Sequence, residues 1–294
     1  MKNNNIKTIN FETEFCGQKP EFNKIPVGYI DKQICGCGLT SVALENNQNN
    51  IIAVPTQNLI LNKCGQYPND RFSGTILGVY GKVGETEIND YLALCKNTDQ
   101  PIKIMVTYDS FFKVCHLLDT CNLVIDESNE LFKYIGLKIK NGNDEDCYNY
   151  LMRKAEIYKD RVSFISATPI PVEYFPEWVQ ELPQFQFEFR NTIDVRKMLM
   201  QRSNPYQALK DEIIRPLNIN GSVSIGDRKI TKVIVFINSV RTITQIVRDC
   251  NLNKDDVAII CGDSVRNDCK IRGYNRVEKY NVLPKYTFIT STGF

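Results

Sequence analysis

Short apolar runs alternate along this chain with longer amphipathic stretches. Ile51 to Val54 is an apolar run closed by Pro55, the mark of a short buried strand. Similar runs lie at Thr75 to Tyr80, Ile102 to Val106, Asn122 to Ile125 and Val162 to Ile165. Between them, Asn89 to Lys96, Phe111 to Leu118 and Tyr148 to Asp160 have helical character. Strands alternating with helices predict a mainly parallel sheet covered by helices.

Four of these runs end in polar clusters: Pro55-Thr56-Gln57, Thr107-Tyr108-Asp109, Asp126-Glu127 and Ser166-Ala167-Thr168. Parallel sheets bind ligands at the carboxyl ends of their strands, so these clusters are candidate site residues. After Pro169 the pattern changes. Pro169, Pro171, Pro176 and Pro183 punctuate a segment rich in Phe, and a new alternation follows. It has a helical stretch at Tyr206 to Ile214 and a turn at Asn220-Gly221. A strand follows at Lys232 to Ile237, then a helix at Val240 to Cys250 and strands at Val257 to Ile260 and Tyr286 to Ile289. The expected division is a first domain over 1–183 and a second over 184–294.

Composition narrows the class. The chain has 294 residues, enough for two cores, with 43% hydrophobic and 24% charged residues. No apolar run approaches the ~20 residues of a membrane span, and the polar start lacks a signal-like apolar segment. A cytoplasmic protein with no membrane partner is expected. The net charge of +2 neither points to nucleic acid nor excludes it. Eleven cysteines and a single histidine, His116, contain no Cys-x-x-Cys pair, so reduced buried thiols are expected rather than zinc.

Three motifs carry chemistry. Gly36-Cys37-Gly38-Leu39-Thr40-Ser41 has the glycines of a loop whose N–H groups wrap phosphates, and in Thr40 a hydroxyl for Mg²⁺. A simple glycine turn would look the same. Leu123 to Ile125 delivers Asp126 and Glu127 at a strand end. In phosphoryl transfer one acid holds Mg²⁺ and the next polarises water, so Asp126 is assigned to metal and Glu127 to water. The bland alternative is a helix cap. Ser166 and Thr168 could couple the metal acid to the rest of the site, or merely end a strand before Pro169.

The order of these elements resembles motifs I, Ia, Ib, II and III of superfamily 2 helicases, nearest to the divergent DEAD/DEAH-like types of phages and mobile elements. Val235 to Ser239 resembles motif IV, and Phe288 to Phe294 the start of motif V. The resemblance implies an α/β fold: a RecA-like parallel sheet sandwiched by helices, then a partial second RecA-like domain. It implies ATP and Mg²⁺ as cofactors, with Thr40 and Asp126 on the metal. Thr56, Thr107, Asn238 and Thr290 would stand near single-stranded or duplex nucleic acid, with other replication proteins as further partners.

Three departures accompany the resemblance. Leu39 stands where the phosphate-binding lysine belongs, and Gln33 where the loop's first glycine belongs. Lys32, just upstream, could reach a phosphate, though nothing in the loop shows that it does. Asn129 replaces the acid or histidine that usually links motif II to motif III. The chain also stops within motif V, so the arginines of motif VI are expected beyond it and the chain is expected to be a truncated piece. A catalytically silent nucleic-acid-binding or scaffold domain is therefore the alternative to an ATP-driven helicase. An unrelated α/β transferase is a third reading, against which Ile51 to Val54 ends in Pro55-Thr56 rather than an acid. Phe22 and Tyr29 are candidates for stacking on a base, or for the core.

Overall fold

The computed structural model describes residues 6–134, 146–168, 170–190, 202–261, 274 and 283–290. The chain divides into two compact units, Met1–Asp194 and Val195–Phe294.

The first unit is built on eight strands: β1 (Lys7–Phe11), β2 (Gly28–Asp31), β3 (Asn50–Val54), β4 (Leu77–Val79), β5 (Lys103–Thr107), β6 (Asn122–Asp126), β7 (Val162–Ser166) and β8 (Gln184–Phe189). They lie in the order β1-β8-β2-β7-β6-β3-β5-β4, and every pairing is parallel. All five strands expected for this half are present. β1, β2 and β8 are additional; their runs are short and flanked by polar residues, so they become strands only by pairing.

Alternation along each strand sends neighbouring side chains to opposite faces. Ile51 and Ala53, Ile104 and Val106, and Leu123 and Ile125 pack on one face with α3 (Glu85–Thr98), α5 (Cys147–Ile157) and α6 (Glu177–Gln180). Ile52 and Val54, Met105 and Val124 pack on the other with α1 (Leu39–Glu45) and α2 (Gln57–Cys64). The expected α/β class, a parallel sheet sandwiched by helices, is thus the architecture of this unit.

Two expectations are corrected. Residues 111–118 are not an α-helix but parts of two 3₁₀ turns, Tyr108–Lys113 and Cys115–Asp119. Their N–H groups reach back three residues, from Val114 to Phe111, Leu117 to Val114 and Thr120 to Leu117. The domain division also moves. β8 was expected in the second domain, yet it lies between β1 and β2 and hydrogen-bonds to both. Its aromatic residues explain the placement: Phe189 stacks on Phe11 and Phe187 packs against it at a tilt. Pro171, Pro176 and Pro183 before it lie in a crossover within the first unit, not at its end.

The second unit holds a parallel sheet of three strands, β11 (Val233–Phe236), β13 (Tyr286–Ile289) and β12 (Val257–Ile260), in that order. A hairpin of β9 (Val223–Ile225) and β10 (Arg228–Ile230) precedes it. The helix expected at 206–214 is longer and irregular: α7 (Pro205–Ala208), a π-helical turn (Leu209–Ile214) and α8 (Arg215–Asn220). Pro216 has no N–H to return to the preceding turn, which accounts for the wider winding before it. α9 (Val240–Asp249) supplies Ile243, Ile246 and Val247 to a core with Val257, Tyr286 and Phe288.

Candidate nucleotide site

β2, β7 and β6 are neighbours, so the segments after them meet at one edge of the sheet. Residues Ile30, Lys32, Val124 and Asp126 share strand parity, and Ile30 and Val124 both face the α1 side. Lys32 and Asp126 therefore emerge on the same face as the glycine loop. With β7 between them, β2 and β6 stand roughly 10 Å apart, a gap that a lysine and an aspartate can close together.

They close it. Lys32 Nζ donates to Asp126 Oδ1 at 3.0 Å and to Glu127 Oε1 at 2.9 Å. Thr40 Oγ1 donates to the other oxygen of Asp126 at 2.7 Å. Burial by itself lowers the Lys32 pKa, but the charges of Asp126 and Glu127 outweigh it and hold the group above its ordinary value. The ammonium therefore stays charged across the physiological range.

Glu127 has φ 56°, a left-handed conformation that costs a non-glycine residue about 1–2 kcal/mol. In a regular strand Glu127 would point away from Asp126. The left-handed turn instead lets both carboxylates reach the same ammonium. The Asp126 side chain accepts from the Glu127 N–H at 3.0 Å. Tyr108 Oη donates to the carbonyl oxygens of Asp126 at 2.5 Å and Glu127 at 3.2 Å. Tyr108 is buried and its role was not legible in the sequence, because only the fold brings β5 to β6 across β3. α4 (Ser128–Tyr134) begins directly after the acids, but the two carboxylates bond to Lys32, Thr40 and the Glu127 N–H.

The glycine loop turns through Gln33 (φ 60°), Gly36 (φ 77°) and Gly38 (φ 83°). Gly36, Cys37, Gly38, Leu39, Thr40 and Ser41 all line a cavity of about 420 Å³ that also reaches Lys32, Asp126 and Glu127. Leu39 is almost wholly buried in the core under α1, which is why an apolar residue suits that position. Cys37 meets Cys16, whose N–H donates to the Cys37 carbonyl at 2.8 Å. Hydrogen bonding between the two thiols lowers Cys37 to about 7 and raises Cys16.

Asn129 keeps the link that its substitution had put in doubt. Ser166 Oγ donates to Asn129 Oδ1 at 2.9 Å and accepts from the Thr168 N–H at 3.1 Å. Ser166 and Asn129 are buried; Thr168 is exposed.

Thr107 ends β5 as the register partner of Val54, and Thr56 lies two residues beyond Val54. Thr56 is exposed at the head of α2, and Thr107 is half-buried. In the second unit, Asn238 is exposed after β11, whereas Thr290 is buried after β13. Residues 291–294 of that motif lie outside the described residues, as does Pro169. Phe22 and Tyr29 are core residues, Phe22 against Phe11 and Phe187, Tyr29 against Phe175. Among the described residues no cluster of three or more His, Cys, Asp or Glu could hold a metal, and no helix is long and apolar enough to cross a membrane.

No family model and no curated protein matches the chain. Among solved structures, similar ones include Dbp5 of S. cerevisiae bound to RNA and ADP BeF3, at 14% identity over 90% of this chain and 66% of that one, TM-score 0.46. A DEAD box protein from the hyperthermophile Methanococcus jannaschii matches at 14% identity over 92% and 71%, TM-score 0.44. The DUF1998 helicase MrfA bound to DNA matches at 14% over 98% of this chain but only 40% of its own, TM-score 0.47. These likenesses are loose, and the α/β class rests on the strand order itself.

Proposed function

We propose that this chain binds ATP with Mg²⁺ in the cavity at the ends of β2 and β6 and couples its hydrolysis to a grip on nucleic acid, as superfamily 2 helicases do. The observation that carries the reading is the bonded set Thr40–Asp126–Lys32–Glu127 beside the glycine loop. A hydroxyl and a carboxylate oxygen 2.7 Å apart suit Mg²⁺, a hard ion that takes few protein ligands and keeps water and phosphate for the rest. Bound there, Mg²⁺ would neutralise charge developing on the phosphates. Asp126 would hold the ion with Thr40, and Glu127 would orient and deprotonate the attacking water. Thr56 and Thr107 would contact the sugar-phosphate backbone, with Asn238 in the second unit; such contacts do not read bases. In the same reading the protein is of the phage or mobile-element type and acts in a cytoplasm beside other replication proteins.

One observation favours the second reading, a silent nucleic-acid-binding domain: Leu39 is locked in the core and cannot offer a charge to phosphate. Two measurements separate them, Mg²⁺-ATP binding and ATPase with and without single-stranded DNA or RNA. The helicase reading expects stimulated turnover that Glu127→Gln reduces at least ~100-fold while ATP binding persists. Binding without turnover selects the silent domain. Failure to bind either ATP or nucleic acid rejects both.

A further inference from the structure

The cavity lacks a lysine at the position where phosphate loops normally carry one, yet it does not lack a buried cation. We infer that Lys32 is the residue that binds the terminal phosphates of the nucleotide, supplied from the end of β2 rather than from the first turn of α1. The inference rests on the nucleotide-site reading above and specifies which residue makes it work.

Three cations line this cavity: Lys32, Lys63 and Arg71. Arg71 is exposed and pairs with Glu45 at 3.6 Å, at the far end of α1 from the loop. α1 rises 1.5 Å per residue, so that end is roughly 9 Å from Leu39. Lys63 Nζ donates to Ser41 Oγ at 3.1 Å, on the α2 side. Lys32 touches both acids, and its side chain is 7% exposed.

A buried lysine can be purely structural, and this fold contains one for comparison. Lys103 Nζ donates to Ala43 O, Asn46 Oδ1 and Gln48 O at 2.7–2.8 Å, using all three protons on neutral oxygens at the end of α1. It does not line the cavity. Lys32 differs on each count. Its described partners are two carboxylates of the site, they engage two of its three protons, and Lys32 lines the cavity together with both acids.

The arrangement supplies a binding step without covalent chemistry. Without nucleotide, the Lys32 ammonium neutralises Asp126 and Glu127, a pair that would otherwise repel. A triphosphate brings its own negative charge, and the ammonium exchanges carboxylate oxygens for phosphate oxygens. That exchange frees Asp126 for the metal and Glu127 for water, so one residue ties phosphate arrival to release of both acids. Adenosine, which lacks phosphate, gains nothing from Lys32.

The test compares affinities for ATP, in Mg²⁺ and in EDTA, and for adenosine, in the full chain and its Lys32→Met and Lys32→Arg variants. Lys32→Met is expected to lose roughly 10–100-fold in ATP affinity with adenosine binding unchanged, and Lys32→Arg to keep most of the preference for triphosphate. A residue that only supports the fold would lower both ligands together. Unchanged ATP affinity in Lys32→Met, or the selective loss in Lys63→Met instead, overturns the assignment while leaving the nucleotide site standing. A wild-type chain that binds no ATP overturns both. Should Lys32→Met not fold, the wild-type protein decides: an ADP analogue carrying a pyridoxal aldehyde in place of the γ-phosphate, fixed with borohydride, is expected to label Lys32 in a manner that ATP blocks. Labelling confined to other lysines rejects the inference.

Discussion

Backbone conformation at single residues sets the geometry of this site. Gln33 stands at φ 60°, where a glycine is at ease and a side chain is not. The glycine that such loops usually carry there has this physical reason. Gln33→Gly should therefore stabilise the chain by about 0.5–1 kcal/mol, the relief of a left-handed residue less the added freedom of the unfolded chain. Urea unfolding midpoints measure it; a drop would mean that the exposed Gln33–Asp31 side-chain bond outweighs the strain. Cys37 gives a second residue-scale expectation. Its thiol is lowered from 9.0 to about 7 in the folded chain by its bond with Cys16. An acid with a depressed folded pKa adds stability that is present above its unfolded value and is lost as pH falls through its folded value. The folded state should thus gain stability from this group as pH rises from about 7 towards 9. Cys37→Ser should flatten that part of the wild-type curve, and parallel curves for the two proteins would show that Cys37 does not titrate so.

At the scale of elements, α1 is held at both ends by residues distant in sequence. Its first turn carries the glycine loop over the sheet through Leu39, Val42 and Ala43. Of its last carbonyls, Ala43 O accepts from Lys103 on β5 and from the Asn50 side chain, and Lys103 also donates to Asn46 Oδ1 and Gln48 O just beyond the helix. Lys103→Met keeps the length of the side chain and removes the donors. It should cost about 1–3 kcal/mol, because Gln48 O loses the Lys103 donor while Ala43 O and Asn46 Oδ1 keep those of Asn50, and the loss should appear in unfolding rather than in ATP affinity at low temperature. A neutral result would mean that water replaces the ammonium. The contrast between Lys103 and Lys32 shows why a lysine's position in a strand does not reveal its role. Both are buried; the oxygens opposite them differ.

For the whole molecule, the decisive fact is that the described residues lining the proposed nucleotide cavity all lie in the first unit. A fragment of residues 1–194 should fold and bind ATP on its own. A fragment of residues 1–183 should not, because it removes β8 and leaves β1 with no partner and the flank of β2 open. It also strips Phe187 and Phe189 from Phe11. Cooperative thermal unfolding of the two fragments distinguishes them; equal behaviour would show that β8 is dispensable and would place the boundary at residue 183.

The sequence by itself determined the α/β class, the five contiguous strands from β7 to β4 and the place of Asp126 and Glu127 at a strand end, because a buried parallel strand must be a continuous apolar run and turns polar where it leaves the core. It also marked the glycine loop through Thr40, since left-handed turns favour glycine. It could not place β1, β2 or β8, whose short runs gain meaning only from partners far along the chain. Nor could it show that Asn129 still meets Ser166, that Tyr108 supports the acid pair, or that Leu39 belongs to the core. The tertiary structure decided the partners of Lys32 for the same reason. Residues 94 and 95 positions apart meet only because β2 and β6 flank β7, and a contact made across a sheet leaves no local trace.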